Sequence, residues 1–101
     1  MKYSELSRNR QLLVQSMSQL GYGQIRRLFI SNGDPLNDPP PRICRRRRLK
    51  GSVVVDLPKY TKDCLLKEQV VNLSLELDKL GNGVITIDVR DGLPCDIIYE
   101  Q

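Results

Sequence analysis

Six basic residues within a nine-residue span carry the clearest chemistry in this sequence: Arg42, Arg45, Arg46, Arg47, Arg48 and Lys50. Arginine presents a planar fork of donors that fits phosphate oxygens, and several in a row neutralise several phosphates. Arg26 and Arg27 add two further cations, and Tyr22, between Gly21 and Gly23, offers a ring on which a base can stack. The competing reading is a solvated charge run, or arginines that pair with acidic groups elsewhere in the chain. No helix-turn-helix, zinc-finger or RNP pattern accompanies the cluster. Contact would therefore be to the phosphate backbone, with little sequence preference.

Other chemistries find less support. The chain has no histidine, which removes the commonest general base, the usual metal ligand and every Ser-His or Cys-His nucleophile pair. Cys44, Cys64 and Cys95 are odd in number and far apart, with no C-x-x-C pair, and read as plain core or surface thiols. Asp88, Asp91 and Asp96 crowd together and in principle suit a hard cation, but strand alternation turns Asp88 to solvent and Asp91 is taken up by a turn. Gly21-Tyr22-Gly23 and Gly81-Asn82-Gly83 are not phosphate loops, because such loops follow a strand and open a helix, whereas these follow a helix and open a strand. No catalytic residue, metal site or cofactor is expected, and no small-molecule substrate is evident.

The bulk composition bounds the answer. One hundred and one residues, 40% hydrophobic and 28% charged, make one ordinary domain or two very small units that share a core. Charge is unevenly placed: residues 1–52 hold 11 Lys+Arg and 3 Asp+Glu (+8), and residues 53–101 hold 5 and 9 (−4), which sum to the net +4. Such asymmetry suits a polyanion partner for the basic half, or attraction between acidic and basic surfaces. No apolar run reaches the roughly 18 residues that span a bilayer. The polar start, Met1 to Glu5, has no signal-peptide apolar region after it, so a soluble cytoplasmic protein without membrane contact is expected.

The elements that must position these residues recur. Leu6, Leu13, Met17, Leu20, Gly21, Gly23 and Ile25 return sixty residues later as Leu66, Leu73, Leu77, Leu80, Gly81, Gly83 and Ile85. Asn32-Gly33-Asp34-Pro35 returns fifty-nine residues later as Asp91-Gly92-Leu93-Pro94. Leu66, Val70, Leu73, Leu77 and Leu80 fall on one helical face, with Thr61 or Asp63 as cap and Gly81 as stop. Ser4 is the candidate cap of the first helix, and Arg10 interrupts its apolar stripe. Ile85, Ile87 and Val89 alternate as a half-buried strand, and Asp91-Gly92 makes a type I′ hairpin turn to a return strand that places Cys95, Ile97 and Tyr99 on one face. In the first half Ile25 and Leu28 are three apart, so Arg26-Arg27 reads as a β-bulge before the Asn32-Gly33 turn. Asp38-Pro39-Pro40-Pro41 then sets a stiff extended stretch, read as a spacer between the copies.

The run Leu80-Gly81-Asn82-Gly83-Val84-Ile85-Thr86-Ile87-Asp88-Val89-Arg90-Asp91-Gly92 resembles the YezD-like small bacterial proteins, over roughly residues 62–99. That resemblance implies a helix followed by a hairpin and implies no activity. The proline run and the arginine cluster depart from it.

The sequence thus predicts an α+β fold of tandem αββ units, with two helices packed on one face of a mainly antiparallel sheet. The first helix-hairpin unit is expected over 1–37. A Pro/Arg-rich connector with an extra strand at Val53–Val55 follows over 38–58, and the second unit over 59–101, all around one shared core. The favoured function is a small nucleic-acid-associated or regulatory factor using Arg42, Arg45 to Arg48 and Lys50, aided by Arg26 and Arg27. The alternative is a protein-interaction or self-assembly module, with a homodimer through open sheet edges.

Overall fold

The computed structural model describes residues 1–47, 49 and 57–100. The extra strand expected at Val53–Val55 lies outside these, as do Arg48 and Lys50. The described elements run in the order α1 (Arg8–Leu20), β1 (Gly23–Ser31), β2 (Asp34–Pro35), β3 (Arg42–Arg45), α2 (Glu68–Leu80), β4 (Gly83–Arg90) and β5 (Leu93–Tyr99), after a 3-10 turn at Tyr3–Glu5. Every strand pairing is antiparallel, in the order β2-β1-β4-β5, with β3 on the same side of β1 as β2. The fold is α+β: two helices against a curled five-stranded sheet.

Helix ends follow local chemistry, with two departures from the sequence expectation. Ser7, not Ser4, caps α1, its hydroxyl accepting from the Arg10 N–H. Ser4 instead lies in the 3-10 turn, which carries Tyr3 and Leu6 into the core ahead of the helix. Lys67 stands at the start of α2 with no side-chain cap, so neither Thr61 nor Asp63 serves. Both helices stop at glycines with positive φ, Gly21 at 75° and Gly81 at 69°, each N–H returning to the carbonyl four residues back.

The core is the meeting of the two helix faces with one sheet face. Met17, Ile85 and Ile87 are fully buried, joined by Leu13, Val14, Val70, Leu73 and Leu77 from the helices and Ile25, Leu28 and Val89 from the strands. Each such side chain contributes about 1.5–3 kcal/mol on leaving water. The central seam is β1 against β4, where Ile25 faces Ile87 and Leu28 faces Ile85. The register slips between Ile25 and Leu28, at the Arg26-Arg27 bulge, and Arg27 takes φ 54° there. A second bulge inserts Cys95 into β5, between the Asp88–Asp96 and Val89–Pro94 pairs; Cys95 is exposed and lines the same groove against α2 as Ile97 and Tyr99. Both hairpin turns have two residues at positive φ, Asn32-Gly33 and Asp91-Gly92, as type I′ geometry requires.

The turns also lock the halves together. The Gly33 N–H donates to the Gly81 carbonyl at 2.7 Å, and the Gly92 N–H donates to the Gly21 carbonyl at 2.9 Å. Beside these, the Asn32 N–H donates to Asn82 Oδ1, and the Tyr22 hydroxyl donates to the Asp91 carboxylate. Each hairpin tip thus satisfies carbonyls that the other half's helix end leaves open.

The three prolines lie inside the first half. Asp34–Pro35 and Arg42–Arg45 both pair with β1, so residues 36–41 are an excursion between two pieces of one return limb.

Candidate nucleic-acid interface

The basic cluster is held by an edge strand. Ile43 and Cys44 give β3 its extended preference, and its register against β1 is set by Ile43 opposite the buried Ile25. That register places Arg42 opposite Arg26, Cys44 opposite Gln24 and Arg45 opposite Gly23. The Arg46 N–H then donates to the Tyr22 carbonyl at 2.9 Å, which continues the ladder one residue further. Gly23 is required here: a Cβ at this position would lie 2.0 Å from the Cys44 carbonyl oxygen.

Arg42, Arg45, Arg46 and Arg47 are all exposed. Among the described residues none of them takes part in an ion pair. The opposed Arg26 and Arg42 form a like-charge pair across the strands, which is unfavourable unless an anion lies between.

The other predicted cations and aromatics are employed differently. Arg26 donates from Nε to Gln24 Oε1 at 2.7 Å, and Gln24 in turn donates to Asp88. Arg27 is drawn away from the edge: its guanidinium pairs with Glu100 at 2.5 Å and lies 5.8 Å from the Phe29 ring centroid. Tyr22 is half-buried and ties the first helix end to the second hairpin through Asp91, which makes it a bridge between the halves. Asp88 and Asp96 face one another across β4 and β5, yet no group of three or more metal-ligating side chains assembles among the described residues.

The sheet is electrically lopsided. β3 forms one edge with its arginines, and β5 forms the other with exposed Asp96 and, just beyond it, Glu100. Along β5 the Tyr99 hydroxyl donates to Glu76 at 2.5 Å, and this bond raises its pKa. Burial, with Asp96 beside it, pushes the Cys95 thiol up.

A residue that sequence pattern flagged only as an interruption is central. Arg10 has a side chain 14% exposed and spreads its fork over both halves. It donates to the Gly33 carbonyl at 3.2 and 2.8 Å, to the buried Ser74 hydroxyl at 2.7 Å, and to Asp78 at 2.5 Å. The legible signal was a charge at a stripe position, but its partners lie up to 68 residues away.

Among the described residues no helix is long and apolar enough to cross a membrane. No protein-family model matches the chain, and neither a curated protein nor a solved structure matches it.

Proposed function

We propose that this is a small cytoplasmic, non-enzymatic protein that contacts nucleic-acid phosphates through Arg42, Arg45, Arg46 and Arg47, with Arg48 and Lys50 continuing the run. The observation that carries the reading is the row of exposed arginines on and just beyond an edge strand, with no ion pair taken up among the described residues. The strand edge presents Arg42 and Arg46 on the open face and Arg45 on the other, so phosphates running along the edge can be met from both sides, and the opposed Arg26 and Arg42 gain most from an anion between them. Arg27 belongs outside this set, because Glu100 already neutralises it.

We further read the two halves as diverged copies of one helix-hairpin unit, akin in shape to the YezD-like proteins. Matching hydrogen bonds support this. Gly33 to Gly81 and Gly92 to Gly21 exchange the same roles, and the neighbouring positions also meet, though with the direction reversed: Asn32 donates to Asn82, whereas Asp91 accepts from Tyr22. On this reading the basic edge strand is what the first copy gained.

Binding to duplex DNA or RNA should weaken about a thousandfold between low and physiological salt if six cations engage phosphates. Changing Arg45, Arg46 and Arg47 together to alanine should lower the slope of log affinity against log salt by about three. Fluorescence anisotropy on a labelled duplex reads both. Unchanged affinity in the triple variant would remove the proposal.

A further inference from the structure

The two edges of the sheet are complementary in hydrogen bonding, in charge and in apolar content, and the geometry points to head-to-tail assembly in which β5 of one copy pairs antiparallel with β3 of a second copy. Among the described residues nothing pairs with the outer edge of either strand.

The register follows from which backbone groups face outward. The Glu100 N–H donates to the Val84 carbonyl, so by antiparallel alternation residues 96, 98 and 100 face β4, and Ile97 and Tyr99 present their N–H and C=O outward. The Arg46 N–H donates to Tyr22, so 42, 44 and 46 face β1, and Ile43 and Arg45 face outward. Pairing through both outward residues of each strand sets Tyr99 opposite Ile43 of the second copy, and Ile97 opposite its Arg45. On the open face Asp96 then meets Arg46 of the second copy, Ile98 meets its Cys44, and Glu100 meets its Arg42. Asp96 of β5 and Glu100 just beyond it both meet arginines in this register, Glu100 as a carboxylate that also pairs with Arg27 of its own copy. A slip of two residues one way sets Tyr99 against Pro41, which has no N–H to give. A slip the other way moves Glu100 off Arg42 and onto Cys44.

Like edges are excluded by the same charges. Joining β5 to β5 through both outward residues sets Asp96 against Glu100, and joining β3 to β3 sets Arg42 against Arg46, pairs that cost stability directly across a sheet. The apolar side chains agree. Ile43 is 52% exposed, Ile98 52% and Tyr99 44%, and all three lie on these edges and are covered in the proposed pairing. On the helix side, an open groove of about 280 Å³ between α2 and β5, lined in part by Asn72, Glu76, Ile97 and Tyr99, leaves room for the second copy's Ile43 and Arg45 side chains. The contact is heterologous, so assembly grows with concentration unless the rotation closes a ring.

The test is sedimentation velocity on the full chain after nuclease treatment. The wild type is expected to rise above monomer mass with concentration and to fall back toward it at high salt. Arg42→Glu with Arg46→Glu, and separately Asp96→Lys with Glu100→Lys, should each weaken self-association at least about tenfold. An equimolar mixture of the two double variants should regain it, because each then offers the edge the other lacks. Ile97→Pro removes an outward N–H and no internal ladder bond, so it should keep the circular dichroism spectrum and lose assembly. A monomeric wild type at every concentration, or assembly indifferent to these changes, overturns the proposal, as does a folded mixture that stays monomeric. The Ile97→Pro variant keeps every charge and the Arg27–Glu100 pair, so its nucleic-acid affinity reports on the proposed function separately from assembly.

Discussion

Arg10 occupies a position where the α1 pattern asks for an apolar side chain, and its burial is offset by a full set of acceptors. The Gly33 carbonyl, the Ser74 hydroxyl and Asp78 each take one or more of its donors. Removing the fork strands the buried Ser74 hydroxyl and the turn carbonyl rather than a buried charge, because Asp78 is 60% exposed. Arg10→Met should therefore cost about 2–3 kcal/mol in denaturant unfolding, and Arg10→Lys should recover only part of it, since an ammonium cannot reach acceptors on both halves at once. Tyr60 is the opposite case. Its ring stacks on Tyr3 at 5.3 Å, while its buried hydroxyl has no hydrogen-bond partner among the described residues. Burial, with Cys64 and Tyr3 nearby, pushes its pKa up to about 12 from 10. Folding thus favours the neutral phenol, and this contribution is complete below pH 10 and is lost as pH rises toward 12. Tyr60→Phe should leave stability at neutral pH unchanged or slightly higher, and should make the loss of stability above pH 10 shallower in thermal melts across that window.

At the scale of elements, what depends on neighbours in sequence was legible. The Ile85–Val89 alternation, the helix stripe from Val70 to Leu80, the Arg26-Arg27 bulge and both positive-φ turns rest on local rules and are all present, whereas Leu66, expected on the same stripe, stands before α2. The helix starts were misplaced because a 3-10 turn before α1 shifts the cap from Ser4 to Ser7, and because Lys67 opens α2 without a side-chain acceptor. The position of β3 was not readable, since the proline run hides the fact that both of its flanks return to β1. Of the candidate interface, the arginine row was plain, but the diversion of Arg27 to Glu100 and of Tyr22 to Asp91 depends on contacts 73 and 69 residues distant. β3 itself hangs on Gly23. With the Cys44 carbonyl oxygen 2.0 Å from where a Cβ would stand, Gly23→Ala should detach β3 while α1, α2 and the β4–β5 hairpin persist. Amide exchange is the check: faster exchange at Cys44 and Arg46, with protection kept at Ile85 and Ile87, is the expected result.

At the scale of the molecule, the two halves share one core. The shared core draws Leu13 and Met17 from one side and Leu73 and Leu77 from the other, and the β1–β4 seam lies at its centre. A domain of about 60 residues is already marginal, and each half is shorter than that. Peptides covering 1–47 and 57–100 should each lack a cooperative melt alone and gain one on mixing, with near-equal stoichiometry by titration calorimetry. Failure to combine would show that these two halves do not suffice to form the seam.

The crossed glycine bonds, Gly33 to Gly81 and Gly92 to Gly21, have a corollary for how the fold comes apart. Because each hairpin tip fastens the opposite helix, neither arm can fray without loosening its counterpart. Opening is therefore expected to be all-or-none, a mutual clasp that releases at both ends together.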